Sequence, residues 1–327
     1  MATTLLPLQQ RPSPNSANPP KVYKNTRATI IIVILVAFLT AIFVAVFTIK
    51  PTWWARQDIV EAENYDENTI SHLRRVNDDI PHGRPLWDMP RRRPGAVPYG
   101  QAIFTCANPG QIALGFDDGP SYWTTRVMEE LDNHDVKGTF FITGNNPKLN
   151  RRIDDEKSEW PELLREMHDK GHQLASHTWT HKHLEQIGHK GVFAEMVYNE
   201  MAFRNVLGLV PTYMRPPYGV WRDTEVQKDL DALGYHIMMY NIDTKDYVHN
   251  DRDAIQVSVD IFNNAVREDG NGTYLVLVHD IYEWTALKLL PAMLRTIKLR
   301  GYKAVTVGEC LNDQSTNWYR DPASEDW

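Results

Sequence analysis

From about residue 102 onward, short apolar runs alternate with longer amphipathic stretches. A compact apolar run of four to eight residues fits a buried strand, whereas apolar positions recurring every three or four residues fit a helix with one buried face. Candidate strands are 112–116, 138–143, 173–176, 213–215, 235–241, 274–279 and 304–307. Helices are expected at 124–134, 160–170, 191–207, 223–233, 251–268 and 284–300. Helices threaded between strands in this way predict one α/β domain over residues 102–311, a distorted (β/α) barrel of about seven strands. In such a barrel, active residues gather where the strands end.

The N-terminal third has a different texture. Residues 28–49, ATIIIVILVAFLTAIFVAVFTI, run without a charge, proline or glycine, and a helix needs roughly 20 such residues to cross a bilayer. This reads as a transmembrane signal anchor; a cleaved signal peptide would start earlier, be shorter and end in small residues. Arg11, Lys21, Lys24 and Arg27 precede the run with no acid among them, while a similar stretch after it offers only Lys50 and Arg56. That bias places the N-terminus in the cytosol, with Trp53 and Trp54 at the far interface. The expectation is a single-pass type II membrane protein with its catalytic domain in a lumen or outside the cell. Residues 1–27, with five prolines, read as a disordered tail, 50–101 as a charged and then Pro-rich stalk, and 312–327 as a C-terminal tail. The basic RRRPG of the stalk receives no function.

Composition narrows the chemistry. A chain that is 42% hydrophobic and 24% charged is not wholly disordered, and a net charge of −7 lacks the basic field that nucleic acid requires. With only Cys106 and Cys310, one disulfide is affordable but a cysteine-rich metal site is not, so any metal must be held by His and carboxylates.

Five motifs follow predicted strands. GFDDGP places Asp117 and Asp118 at a strand end; as neighbours in a strand they would point to opposite faces and take different tasks. In SHTWTHKHL, His177 and His181 are four apart and share a face if the stretch turns helically. Together with Asp118 they form a two-His, one-carboxylate set that suits zinc and leaves positions open, whereas His183 and His189 read as surface histidines. MRPPYG fixes an extended backbone at Arg215, a candidate partner for the charge of Asp117. NIDTKDY supplies Asp243, Asp246 and Tyr247, and LVLVHD supplies Leu277, His279 and Asp280. A carboxylate such as Asp246 beside His279 would suit it to general-acid work. Each motif alone has an ordinary explanation, as a surface turn, a helical pair, a rigid loop or a core histidine. Their joint placement at strand ends is what argues for a site.

In this order the motifs resemble those of the polysaccharide deacetylases of carbohydrate esterase family 4, whose fold is the NodB homology domain. The resemblance spans Cys106 to about Leu311, and TFFITGNN, QLASHTWTH and VTVGECL look most like fungal chitin deacetylases. It implies Asp117 as general base, Asp118, His177 and His181 as ligands of Zn2+, Co2+ or another divalent ion, and Arg215 steadying Asp117. It also implies His279 as general acid tuned by Asp246, the Tyr218 N–H at the oxyanion, and Leu277 with Tyr247 lining an acetyl pocket. Cys106 and Cys310 would then be bridged. Gly115, where Thr is frequent, and Tyr247, where Trp is common, are two departures. The activity so implied is hydrolysis of N-acetyl groups from chitin or chitin oligomers, giving chitosan and acetate. Xylan or peptidoglycan is the alternative substrate, and an inactive membrane-anchored chitin-binding protein the alternative class. A glycosidase is disfavoured because its two carboxylates must flank a sugar, and a serine hydrolase because no G-x-S-x-G is present. Asn271, in Asn-Gly-Thr, is a candidate glycosylation site. Oligomeric state has no signature in the sequence.

Overall fold

β1 (Ala102–Ile103) and β2 (Gln111–Asp117) open the strand order of the computed structural model, which describes residues 80–322 apart from 148 and 150. Helix α1 (Thr124–Asn133) leads to β3 (Thr139–Ile142), and a small hairpin, β4 (Asn145–Asn146) and β5 (Arg151–Arg152), follows. Next come α2 (Trp160–Asp169), β6 (Gln173–Ser176), α3 (Gly188–Leu207), β7 (Val210–Pro211) and β8 (Tyr213–Met214). The second half runs α4 (Thr224–Ala232), β9 (His236–Met238), β10 (Ile242–Asp243), α5 (Ile255–Ala265) and β11 (Thr273–His279). It closes with α6 (Leu290–Leu299), β12 (Lys303–Val305), α7 (Val307–Cys310) and β13 (Tyr319–Arg320).

Nine strands form one sheet in the order β1-β9-β8-β6-β3-β2-β11-β10, with β12 also on β2, and every pairing is parallel. β11 pairs with β2 along all seven residues; β12 pairs with 111–113 and β3 with 115–117. The sheet must curl, because β9 and β10 lie towards opposite ends of this order yet only residues 239–241 separate them, a span of at most about 15 Å. Those linking residues stitch the seam: the Met239 N–H donates to Ile103 O at 2.7 Å, and the Asn241 N–H to Leu275 O at 3.0 Å. The stretch 235–241, expected as one strand, is therefore broken at Met239. The last expected strand stops at Val305 because the Thr306 side chain caps α7, with Glu309 bonding back in a capping box.

Strand alternation sorts the core into an inner and an outer layer. Ala113, Phe141, Ala175, Tyr213, Met238, Leu275 and Val305 fill the inside of the curl. Their strand neighbours Ile112, Leu114, Phe140, Leu174 and Val276 pack outward with Met128, Leu164, Phe262 and Met293 of the helices. A second outer cluster joins Met214 and Ile237 to Met196, Val197 and Leu230 of α3 and α4. The Cys106–Cys310 disulfide ties the exit of β1 to the end of α7.

Residues 80–101, assigned above to the stalk, lie against the outer wall. Leu86 and Met89 are buried in the α3/α4 cluster, and Arg91 pairs with Glu200, whose side chain is fully buried and also accepts from Tyr235 Oη at 2.8 Å. Beyond residue 311, Trp318 is buried with the inner cluster and β13 pairs antiparallel with β7. Among the described residues no helix is long and apolar enough to cross a membrane; the 28–49 span, the 1–27 tail and the stalk before residue 80 lie outside the described residues.

Losing Arg91 leaves the Glu200 carboxylate buried without its charge partner, a cost on the order of 3 kcal/mol. Arg91→Met in a fragment beginning before residue 80 should lower Tm by roughly 6 to 12 °C, and adding Glu200→Gln should recover much of it. An unchanged Tm in scanning calorimetry of Arg91→Met would show that the pair contributes nothing.

Candidate active site

Asp117, His177, Arg215 and His279 emerge from β2, β6, β8 and β11 at positions of inward parity, two residues beyond Gly115, Ala175, Tyr213 and Leu277. All four are buried. Asp118 has the opposite parity but does not face the helices. At φ +76° it leaves the strand, and its Oδ1 lies 3.0 Å from His181 Nε2 and 3.4 Å from His177 Nε2. The two acids therefore converge on one site instead of opposite faces. Two bonds from the β3 side hold the turn: the Asn146 side-chain amide donates to Asp118 O at 2.8 Å, and the Thr143 N–H to Gly119 O at 3.0 Å.

The two histidines meet by a route other than the helical turn considered above. Residues 177–183 are irregular, with Thr178 at φ +70° and His181 at φ +57°, so left-handed residues bring the rings to 5.0 Å. Glu195, on α3, anchors this loop by accepting from the Thr180 N–H at 2.7 Å and from its hydroxyl. Asn199, one turn later, donates to Ile142 O and Ser176 Oγ.

This donor set fits a divalent ion. Ligand atoms of Asp118, His177 and His181 lie within 4.8 Å of one another. His177 Nδ1 is 2.7 Å from Arg215 O; a carbonyl only accepts, so Nδ1 carries the hydrogen and Nε2 is the ring atom that faces Asp118. Burial works to raise Asp118, yet the hydrogen bonds of His177 and His181 outweigh it and hold the carboxyl well below its usual range. A buried anion facing two imidazoles has the charge and softness that zinc or a similar ion requires.

Two closed pairs flank that set. Arg215 Nη1 donates to Asp117 Oδ1 at 2.7 Å and to Gly115 O at 3.3 Å, and the guanidinium lies 4.1 Å over the Phe141 ring. Any Cβ at Gly115 would come within 2.7 Å of both terminal nitrogens, so this departure from the family pattern is the space in which Arg215 lies. Opposite, His279 Nδ1 donates to Asp246 Oδ1 at 2.8 Å, while Asp246 Oδ2 accepts from the His279 N–H and from Thr285 Oγ1, each at 2.8 Å. Burial works to lower His279, but Asp246 reverses it, with help from Asp118 and Asp117, and the imidazole is pushed up to about 9.

Tyr218 takes φ +60° after the two prolines, and its exposed ring stands edge-on to His181 at 4.7 Å and stacks on His183 at 5.8 Å. Tyr247 sits 5.5 Å from the His279 ring, its hydroxyl donating to Asp243 at 3.1 Å; burial and then Asp243 push it up to about 12. Leu277 faces inward two residues before His279. His189 lies elsewhere, on α3, bonded to Asp229 of α4. Asn271 is exposed just before β11. Asn146, Glu195, Asn199 and Thr285 escaped the sequence reading because nothing in local spacing marks a side chain that bonds to distant parts of the chain.

The chain matches the polysaccharide deacetylase family over residues 105–238. It is 40% identical over 225 residues to a chitin deacetylase of Colletotrichum lindemuthianum, covering 68% of this chain and 88% of that one. A chitin deacetylase of Pestalotiopsis sp is 37% identical over 230 residues, 70% and 73% of the two chains. The solved structure of the Colletotrichum lindemuthianum chitin deacetylase superposes with a TM-score of 0.66 at 41% identity, covering 69% of this chain and 97% of that one.

If Asp118, His177 and His181 are the ligand set, His177→Ala and His181→Ala should each weaken zinc binding by at least about tenfold in competition with a chromophoric chelator. His189→Ala should leave it unchanged. Equal affinity in all three variants would rule the set out.

Proposed function

Because the chain belongs to the polysaccharide deacetylase family, we propose that it hydrolyses the N-acetyl groups of chitin or chitin oligomers, releasing acetate and leaving free amino sugars. One observation carries this reading: an Asp-His-His set lies between an Arg-paired carboxylate and an Asp-paired histidine on a single rim. The similarity to fungal chitin deacetylases favours chitin among acetylated polysaccharides.

Held by Asp118, His177 and His181, a divalent ion would supply Lewis acidity towards a carbonyl oxygen and lower the pKa of water. The protein's own groups handle the protons. Arg215 occupies Oδ1 of Asp117, which leaves Oδ2, on the His177 side, to take a proton from the attacking water. The water oxygen bonds to the acetamide carbon, and the Tyr218 N–H is the donor assigned to the oxygen that gains charge. As the C–N bond breaks, the amine takes the proton from His279 Nε2. That nitrogen is the donor because Nδ1 is committed to Asp246. Leu277 and Tyr247 flank His279 and form the apolar wall for the acetyl methyl.

The domain's place in the cell is part of the same proposal: a type II orientation, anchored by residues 28–49, with the barrel in a lumen or outside the cell. The Cys106–Cys310 disulfide supports an oxidising compartment.

Acetate release from acetylated chitin oligomers tests the activity, using a metal-stripped fragment that begins before residue 80 and is resupplied with zinc or cobalt. Activity should return with the metal, and Asp117→Asn should keep zinc while losing at least about 100-fold in kcat. Acetate from xylan or peptidoglycan fragments alone would change the substrate, and no acetate from any of them would leave a binding protein.

His279 must be protonated to act, and its position at about 9 keeps it so through neutral pH. kcat should therefore fall as pH rises towards about 9. Asp246→Asn removes the partner that raises His279, so the basic limb should move down by about one unit or more. A limb that stays in place in the kcat profile would free His279 of this role.

A further inference from the structure

Asp280 follows His279 out of β11, is wholly buried, and takes no part in the chemistry above. Its Oδ2 accepts from Thr124 Oγ1 at 2.6 Å, and that hydroxyl in turn accepts from the Ser121 N–H at 2.8 Å. Ser121 Oγ donates to Asp280 O at 2.8 Å while accepting from the Trp123 N–H at 3.0 Å. Both hydroxyls that follow the DDGP turn are thus committed to one residue more than 150 positions away. The carboxylate also lies flat against Gly119, where any Cβ would collide with it. Its other oxygen, Oδ1, is buried and has no hydrogen-bond partner among the described residues. An unpaired buried oxygen is costly, which calls for a reason to keep a carboxylate at this place.

We propose that Asp280 is a positioning residue that ties the Asp118–Gly119 turn to the exit of β11. It thereby sets where the Asp118 carboxylate stands relative to His177, His181 and His279. The proposal rests on the metal-centre reading above. Asp280 acts through Gly119 and Thr124. The chain that follows β3 holds the same turn from its other side through Thr143 and Asn146. Without the Asp280 side chain only the Ser121 Oγ bond to the Asp280 main-chain oxygen would hold the turn from the β11 side, and the turn would loosen where His279 stands.

The experiment compares Asp280→Ala, Asp280→Asn and Thr124→Val with wild type in the full-length, disulfide-bonded protein. Zinc affinity by chelator competition and the kcat/KM split on chitin oligomers are read side by side. Asp280→Ala should weaken zinc by about tenfold or more and lower kcat with KM little changed. Asp280→Asn keeps an oxygen for Thr124 Oγ1 and the same outline against Gly119, so it should stay within about threefold of wild-type affinity. Thr124→Val should fall between them. A folded Asp280→Ala with wild-type zinc affinity overturns the proposal, as does an Asn variant as weak as Ala. Should Asp280→Ala not fold, the Asn and Val variants decide: wild-type zinc affinity in Thr124→Val overturns it. A wild-type protein that binds no zinc removes the metal-centre reading itself, an outcome distinct from these.

Discussion

A strand in a curled sheet can turn only every second side chain inward, and the site depends on that constraint. Asp117, His177, Arg215 and His279 lie on four strands that are neighbours in the sheet, β8, β6, β2 and β11, with only β3 interposed. A one-residue slip of any of them would send a charged or titratable group into the apolar layer beneath the helices. β11 runs beside β2 for seven residues and aligns His279 with Asp117. That pairing sets Asp117 and His279 at one height before any side chain adjusts.

Charge accounts for the remaining arrangement. Asp117 is matched by Arg215 and Asp246 by His279, both at hydrogen-bond distance and both buried. Asp118 faces imidazoles, one of which is oriented by its Nδ1 bond to a carbonyl so that Nε2 is turned to Asp118. The rim therefore contains two self-sufficient ion pairs and, between them, one carboxylate whose natural complement is a cation. Arg215 contributes twice, its guanidinium to Asp117 and its backbone carbonyl to His177, so a single residue orients both side chains.

Much of this was legible in the sequence because it is local. The strands at 112–116 and 173–176 and the helix at 124–134 are strongly patterned, and each site motif sits within a few residues of a strand end, with Gly and Pro marking the turn in GFDDGP and MRPPYG. Illegible were features that answer to distant chain. The break at Met239 exists because two residues must bond to strands on opposite sides of a seam, and nothing in YHIMMYN shows that seam. Residues 80–101 read as a stalk because Arg91 is one of three consecutive arginines; its partner Glu200 is more than 100 residues away on α3. The left-handed turns at Asp118, Thr178 and His181 were missed for a related reason, since none is glycine and their surroundings impose them.

Gly115 and Tyr247, the two departures from the family pattern, now separate physically. Tyr247 is half exposed at the rim, where its hydroxyl reaches Asp243, so a change of aromatic ring there alters the wall of the site and leaves the proton-bearing pair intact. Gly115 lies two residues below Asp117 on the inner face, and the volume it releases is filled by the guanidinium that contacts Asp117. A larger residue at 115 would require Arg215 to move, and with it the orientation of Asp117. One departure therefore bears on the open wall of the rim and the other on the orientation of Asp117, a distinction that follows from burial alone.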